Sequence, residues 1–183
     1  MTVADFLAWE PPSRSGALWQ LRDGEPELMA PASDRHGSIE TELAYLITTH
    51  LRATNRPCRI VAAPGVVPAE RSEDNCLVPD LGVTCTPPTG AHLMEHPLVL
   101  IEILSPTNVS KARANVRAYR TIAEVAEIAV IHSSAIAAEV LRRGADGEWL
   151  LQPDIQGPDG GLQFHSIGFS VPLHEVYRTS GLA

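Results

Sequence analysis

Two strand-like segments between Val78 and Pro106 each carry one carboxylate in an otherwise apolar run, and they limit what this chain can fold into. The first reads Val78-Pro-Asp-Leu-Gly-Val-Thr-Cys85; the second reads Pro97-Leu-Val-Leu-Ile-Glu-Ile-Leu-Ser-Pro106. Runs of this kind are the buried centre of a sheet. A carboxylate buried there is costly without a partner, and no Lys or Arg stands between Leu98 and Ser105 to accompany Glu102. Adjacent strands run about 4.8 Å apart, so Asp80 and Glu102 reach a common point. Two anions about 4 Å apart repel by roughly 1–4 kcal/mol at bulk to surface-like dielectric. Either one takes up a proton or a divalent cation lies between them, and carboxylate oxygens suit Mg²⁺ or Mn²⁺.

The elements around this pair follow from local patterns. Thr2 to Glu10 is a short amphipathic start, ended by Pro11 and Pro12. Leu18 to Ala30 reads as a hairpin turning at Asp23-Gly24. Ser33 or Asp34 caps a helix whose Ile39, Leu43, Leu46, Ile47 and Leu51 share one face, and which ends near Thr54–Asn55. Cys58 to Pro68 is a strand interrupted at Pro64-Gly65. After the two central strands comes a helix over about Ser110 to Ile122, with Asn115, Tyr119 and Ile122 on one side and Arg113, Arg117 and Arg120 on another. Glu127 to His132 is a further strand. Ala138–Arg143 and Glu148–Gln152 form a hairpin around Asp146-Gly147, Leu162 to Val171 is a last strand region, and Leu173 to Tyr177 is a turn of helix. The order predicts a mixed α/β (α+β) sheet flanked by helices, with an N-terminal hairpin and a C-terminal antiparallel β region.

Length and composition narrow the function. The 183 residues suffice for one domain with a sizeable core, and 44% are hydrophobic. No apolar run reaches the roughly 18 residues of a membrane span, and the acidic N-terminus lacks the basic start of a secretory signal. The three cysteines, Cys58, Cys76 and Cys85, are an odd number without CxxC spacing. They read as small buried hydrophobes in a reducing, cytoplasmic protein rather than as a disulfide framework. A net charge of −8 counts against nucleic acid binding over the whole surface and leaves room for a locally basic cleft.

Pro79-Asp80 followed by Leu98-Val-Leu-Ile-Glu102-Ile-Leu-Ser-Pro106 resembles the Uma-two family of bacterial endonucleases, within the PD-(D/E)XK restriction-endonuclease-like superfamily. The Asp-Gly hairpin, the Met29-Ala-Pro…His36 helix entry, the Asn115…Tyr119 helix and the Glu127-Ile strand support it, so the likeness spans nearly the whole chain. It implies one nuclease domain over residues 1–183, with Asp80 and Glu102 as ligands of Mg²⁺ or Mn²⁺ and the Ile103 carbonyl as a third. It implies DNA as substrate, and a homodimer fits cleavage of both strands. His36 and Glu40, i,i+4 neighbours on the first helix of the core, are either a solvated pair near a helix start or members of the same site. One departure matters. The superfamily's lysine two residues after the acid is here Leu104, and its alternative place on the next helix, four residues before the tyrosine, is Asn115. Lys111, the chain's single lysine, stands one turn earlier. The candidate catalytic residues are therefore Asp80, Glu102, Lys111, Glu40, His36 and Asn115. Two functions stay open: a metal-dependent endonuclease, and a catalytically weak or inactive relative that binds nucleic acid or protein.

Other motifs carry less. His92-Leu-Met-Glu95-His96 matches a zinc-protease pattern that needs both histidines on one helix, but prolines and a glycine flank it. His132 and His165 are read as structural strand residues. Arg113 and Arg117 are read as a solvated helix face that could reach phosphate through bidentate contacts.

Overall fold

The computed structural model describes residues 1–11 and 17–182, so Pro12, expected to help end the first helix, lies outside the described residues. Helix α1 (Val3–Ala8) starts in a capping box formed by Thr2 and Asp5. Strands β1 (Trp19–Arg22) and β2 (Glu25–Leu28) make the expected hairpin. Its turn residues Asp23 (φ 52°) and Gly24 (φ 79°) are both left-handed, the conformation a two-residue hairpin turn selects. Helix α2 (Asp34–Ala53) is capped by the Ser33 side chain, which accepts from the His36 N–H.

The main sheet follows. In chain order its strands are β3 (Arg59–Ala62), β4 (Leu81–Thr84), β5 (Pro97–Leu104), β6 (Glu127–His132), β7 (Ala138–Arg142) and β8 (Asp154–Gln156), and they lie side by side in that order. Only β5 and β6 run parallel; helix α3 (Val109–Tyr119) makes the crossover between them. A separate antiparallel pair, β9 (Gly161–Phe164) and β10 (Phe169–Pro172), and the short helix α4 (Leu173–Val176) close the chain.

Period-two alternation in β5 divides the core. Val99, Ile101 and Ile103 pack with Ile39, Leu43, Ile47 and Leu51 of α2 and with the C-terminal elements. Leu100 and Leu104 pack with Val116 and Tyr119 of α3. Each fully buried aliphatic side chain contributes about 1.5–3 kcal/mol, so the two helices are held against opposite faces by apolar burial. Glu102 shares the α3 side with Leu100 and Leu104. That is why a carboxylate ends up beneath a helix.

Four expectations are corrected. Cys58 and Cys85 form a disulfide. Antiparallel pairing of β3 with β4 sets Arg59 opposite Thr84, so the two cysteines are the next pair along the ladder. Only Cys76 is a buried free thiol, and the cysteine argument for a reducing compartment falls away. β7 lies between β6 and β8, and Glu148–Gln152 returns only to its end, where Gly144 N–H donates to the Glu148 carbonyl and Leu150 N–H to the Arg142 carbonyl. Trp149 leaves the ladder after a single bridge to Arg143: its ring lies against the Arg143 and Arg120 guanidiniums, and its indole N–H donates to the Arg120 carbonyl. The last strand region is split by a 3₁₀ turn, His165–Ile167, ended by left-handed Gly168, so His165 is not a strand residue. Arg113 is no freely solvated side chain, because it forms an ion pair with Glu139.

Glu127 shows how the sheet carries a second buried carboxylate without a cation site. It accepts from Arg142, from the backbone N–H groups of His165 and Ser166, and from the Ser166 hydroxyl. Removing one member of such a set leaves the others unpaired. Glu127→Ala is expected to lower stability by about 3–5 kcal/mol, read as a drop in urea midpoint, with Glu127→Gln losing less because one acceptor oxygen remains. A loss under about 1 kcal/mol would show that this network does not hold the C-terminal pair to β6.

Candidate active site

The site forms where β4, β5, α2 and α3 meet. Asp80 directly precedes β4, and Leu81 pairs with Ile101 in the antiparallel ladder, so the same register sets Asp80 beside Glu102. The Asp80 carboxylate is held at both oxygens: Oδ2 accepts from the Ile103 backbone N–H at 2.6 Å, and Oδ1 lies 3.0 Å from His36 Nε2. His36 is in the first turn of α2, and one turn on Glu40 Oε2 stands 4.0 Å from the same nitrogen. Ligand atoms of His36, Glu40 and Asp80 all lie within 4.8 Å of one another. His36 and Glu40 thus stand beside Asp80 rather than as a separate solvated pair.

Glu102 is 5% exposed. Its Oε1 accepts from the Tyr119 hydroxyl at 2.6 Å and from Asn115 Nδ2 at 3.0 Å. Helix periodicity explains this pair: positions 115 and 119 are i,i+4 neighbours on the buried face of α3. Among the described residues Oε2 accepts no hydrogen bond, yet it is not a sealed orphan atom.

The electrostatics record a site crowded with negative charge. Burial, and then the charge of Asp80, push the Glu102 carboxyl up to about 7, against the hydrogen bonds from Tyr119 and Asn115. Burial and Asp80 also raise Glu40. Burial works against a charged His36, but the hydrogen bond and charge of Asp80, followed by Glu40 and Glu102, outweigh it and raise the imidazole. The surroundings of His36 thus favour its charged form, against burial.

The cations expected nearby are placed differently. Lys111 forms an ion pair with Glu27 of β2 at 3.0 Å. Leu104 is packed in the apolar core against α3. Ile103 touches the site through its N–H, which is bonded to Asp80. The residue that sequence reasoning missed is Arg22 at the end of β1, whose guanidinium donates to Asn115 Oδ1. No local signal points to it, because the contact needs the hairpin docked on α3. The His92–His96 segment is not helical, and His96 pairs with Glu124. A cavity of about 670 Å³ lies at the far end of α2 around Arg52, Arg56 and Arg59, away from the carboxylates. The chemistry, rather than cavity size, locates the site.

A mixed sheet with one parallel crossover, helices on both faces, and an Asp and a Glu brought together at the sheet centre define a protein of the restriction-endonuclease-like class. A sequence model of the Uma2 family, described as "Putative restriction endonuclease", matches residues 3–173, and the chain belongs to that family. Its fold is similar to that in a solved structure described as "a putative nuclease belonging to DUF820 from Anabaena variabilis ATCC 29413". The TM-score is 0.75 at 15% identity, over 97% of this chain and 98% of that one. No curated protein matches the chain. No helix among the described residues is long and apolar enough to cross a membrane.

Proposed function

We propose that this chain is a divalent-metal-dependent endonuclease that hydrolyses phosphodiester bonds in DNA, leaving a 5′-phosphate and a 3′-hydroxyl. The observation that carries this is the cluster of His36, Glu40 and Asp80, whose ligand atoms all lie within 4.8 Å of one another, with both Asp80 oxygens held in place and Glu102 next to Asp80 in the β4–β5 register. Oxygen donors with one imidazole suit Mn²⁺ or Mg²⁺, and the raised Glu102, Glu40 and His36 are groups that lack enough positive charge. Asp80 and Glu102 would hold the ion, with Glu40, His36 and the Ile103 carbonyl as further donors. Such an ion supplies a Lewis acid that acidifies water and offsets charge on the phosphodiester. The chain's own part is to fix Asp80 through Ile103 and His36, to fix Glu102 through Tyr119 and Asn115, and to let His36 give up its proton. The whole chain acts as one catalytic unit, and a homodimer sets two such sites on the two strands of DNA.

Incubation of supercoiled, linear and single-stranded DNA with Mn²⁺ tests this directly. Wild type should cleave, whereas Asp80→Ala and Glu102→Ala should not. Equal activity in all three preparations would sink the assignment. A second reading, a nuclease-fold protein that binds without turnover, is favoured by one observation: Leu104 and Asn115 stand where a lysine is expected. Mn²⁺ binding with no cleavage of any DNA form would establish it.

Metal affinity should also depend on pH. A ligand nitrogen or oxygen must lose its proton before it binds a cation. His36, Glu40 and Glu102 all have raised values, so Mn²⁺ binding should release protons and tighten by about tenfold or more between pH 5.5 and 8. Calorimetry in two buffers of different ionisation enthalpy counts those protons. Affinity that is flat over this range would show that these groups are not the ligands.

A further inference from the structure

A nuclease centre of this kind needs positive charge near its carboxylates, and both expected lysine positions are filled by other residues. The hairpin supplies a different cation. Arg22 Nε lies 3.3 Å from Glu27 Oε2, and the far end of the same guanidinium donates to Asn115 Oδ1. Asn115 Nδ2 in turn donates to Glu102 Oε1 at 3.0 Å. Glu27 gathers the remaining polar groups of this corner: Gln20 Nε2 at 2.6 Å and Lys111 Nζ at 3.0 Å. The single lysine is therefore tied to the hairpin carboxylate, and the arginine points inward.

The arrangement has a directional consequence. A side-chain amide has a donor end and an acceptor end. Arg22 can only donate, so it fixes the Asn115 oxygen toward itself and the NH₂ toward Glu102. The Glu102 carboxylate, an acceptor, selects the NH₂ end as well, and Arg22 locks that orientation from the other side. A guanidinium stays charged at every working pH and holds a planar set of donors, which suits this task better than an ammonium.

We infer that Arg22 is the positioning cation of this centre, acting through Asn115 to orient Glu102 and to bring fixed positive charge within two hydrogen bonds of it. For its effect on cleavage the inference rests on the nuclease reading; for its effect on metal binding it does not.

The test combines Mn²⁺ calorimetry, DNA cleavage and thermal melting on the full chain. Groups that orient a metal ligand typically change affinity by about 10–100-fold. Arg22→Ala and Asn115→Ala should each weaken Mn²⁺ by at least about tenfold, and the double variant should be no weaker than the worse single one, because both changes break one chain of contacts. Arg22→Lys should retain affinity within about threefold, and it reports on the site if Arg22→Ala melts early. In the Arg22→Ala background, Asn115→Lys should restore affinity and cleavage, since it sets a cation directly beside Glu102. Losses that add, affinity of Arg22→Ala within twofold of wild type, or absence of rescue would each overturn the inference. Wild type that binds Mn²⁺ with these dependences but cleaves nothing would overturn the nuclease reading alone. Cleavage by Arg22→Ala at the wild-type rate would overturn the Arg22 role alone.

Discussion

Asp80→Asn should reduce DNA cleavage by about 10³-fold or more while leaving the fold in place. Asp80 Oδ2 accepts from the Ile103 N–H, and Oδ1 lies against His36 Nε2. Asparagine has the same shape and keeps one acceptor for Ile103, so the turn into β4 has no reason to rearrange. What disappears is the negative charge. A cation at the centre of a phosphodiester hydrolysis contributes several kcal/mol of charge stabilisation, and each 1.36 kcal/mol is a factor of ten in rate. The same substitution should be visible away from catalysis. Asp80 is the chief contributor holding the His36 imidazole above its ordinary value against burial, so that value should fall in Asp80→Asn when followed by NMR. Cleavage within tenfold of wild type, together with an unmoved His36, would show that Asp80 is not a member of the site.

The parts of this arrangement that could be read in advance share a physical character. The hairpin is encoded by two adjacent residues that accept left-handed backbone, Asp23 and Gly24. The buried stripe of α2 is encoded at spacings a single helix enforces. The placement of Glu102 in a buried strand followed from its apolar run, and that of Asp80 beside it from the spacing of two neighbouring strands. All of these are local. The misreadings needed partners from elsewhere in the chain. The Cys58–Cys85 disulfide depends on the β3–β4 register. The displacement of Trp149 from the β7 hairpin depends on Arg120, at the end of α3. Arg22 reaches Asn115 across 93 positions, and no periodicity reports on such a contact. The missing lysine was visible in the sequence, whereas the Arg22–Asn115 contact required the docking of one element on another.

Glu102→Gln should make the protein more stable at pH 8 in chelator, even as it removes activity. The Glu102 carboxyl titrates at about 7 rather than the ordinary 4.5, chiefly through burial and secondly through Asp80. A carboxyl raised in the folded state binds its proton more tightly there than in the unfolded chain. Between pH 4.5 and 7 the folded state holds the extra proton, so stability falls as pH rises across that window. The loss amounts to about 3 kcal/mol. Glutamine has no proton to lose, and its oxygen can still accept from the Tyr119 hydroxyl and Asn115 Nδ2. The variant and wild type should therefore coincide in stability near pH 4.5 and separate progressively toward pH 8, with the variant ahead. His36 acts in the same direction, because its raised value gives stability that is present below about 6.5 and lost above its folded value. Glu102 is the weakest of the groups that raise it, so this contribution is smaller in the variant but largely shared by the two proteins. Saturating Mn²⁺ should reverse the order by stabilising wild type alone, in proportion to the logarithm of metal concentration over Kd. Urea midpoints at pH 5, 6, 7 and 8, in chelator and in Mn²⁺, measure all of this. If Glu102→Gln is the less stable protein at pH 8 in chelator, Glu102 is held by more positive charge than Arg22, through Asn115, brings to it.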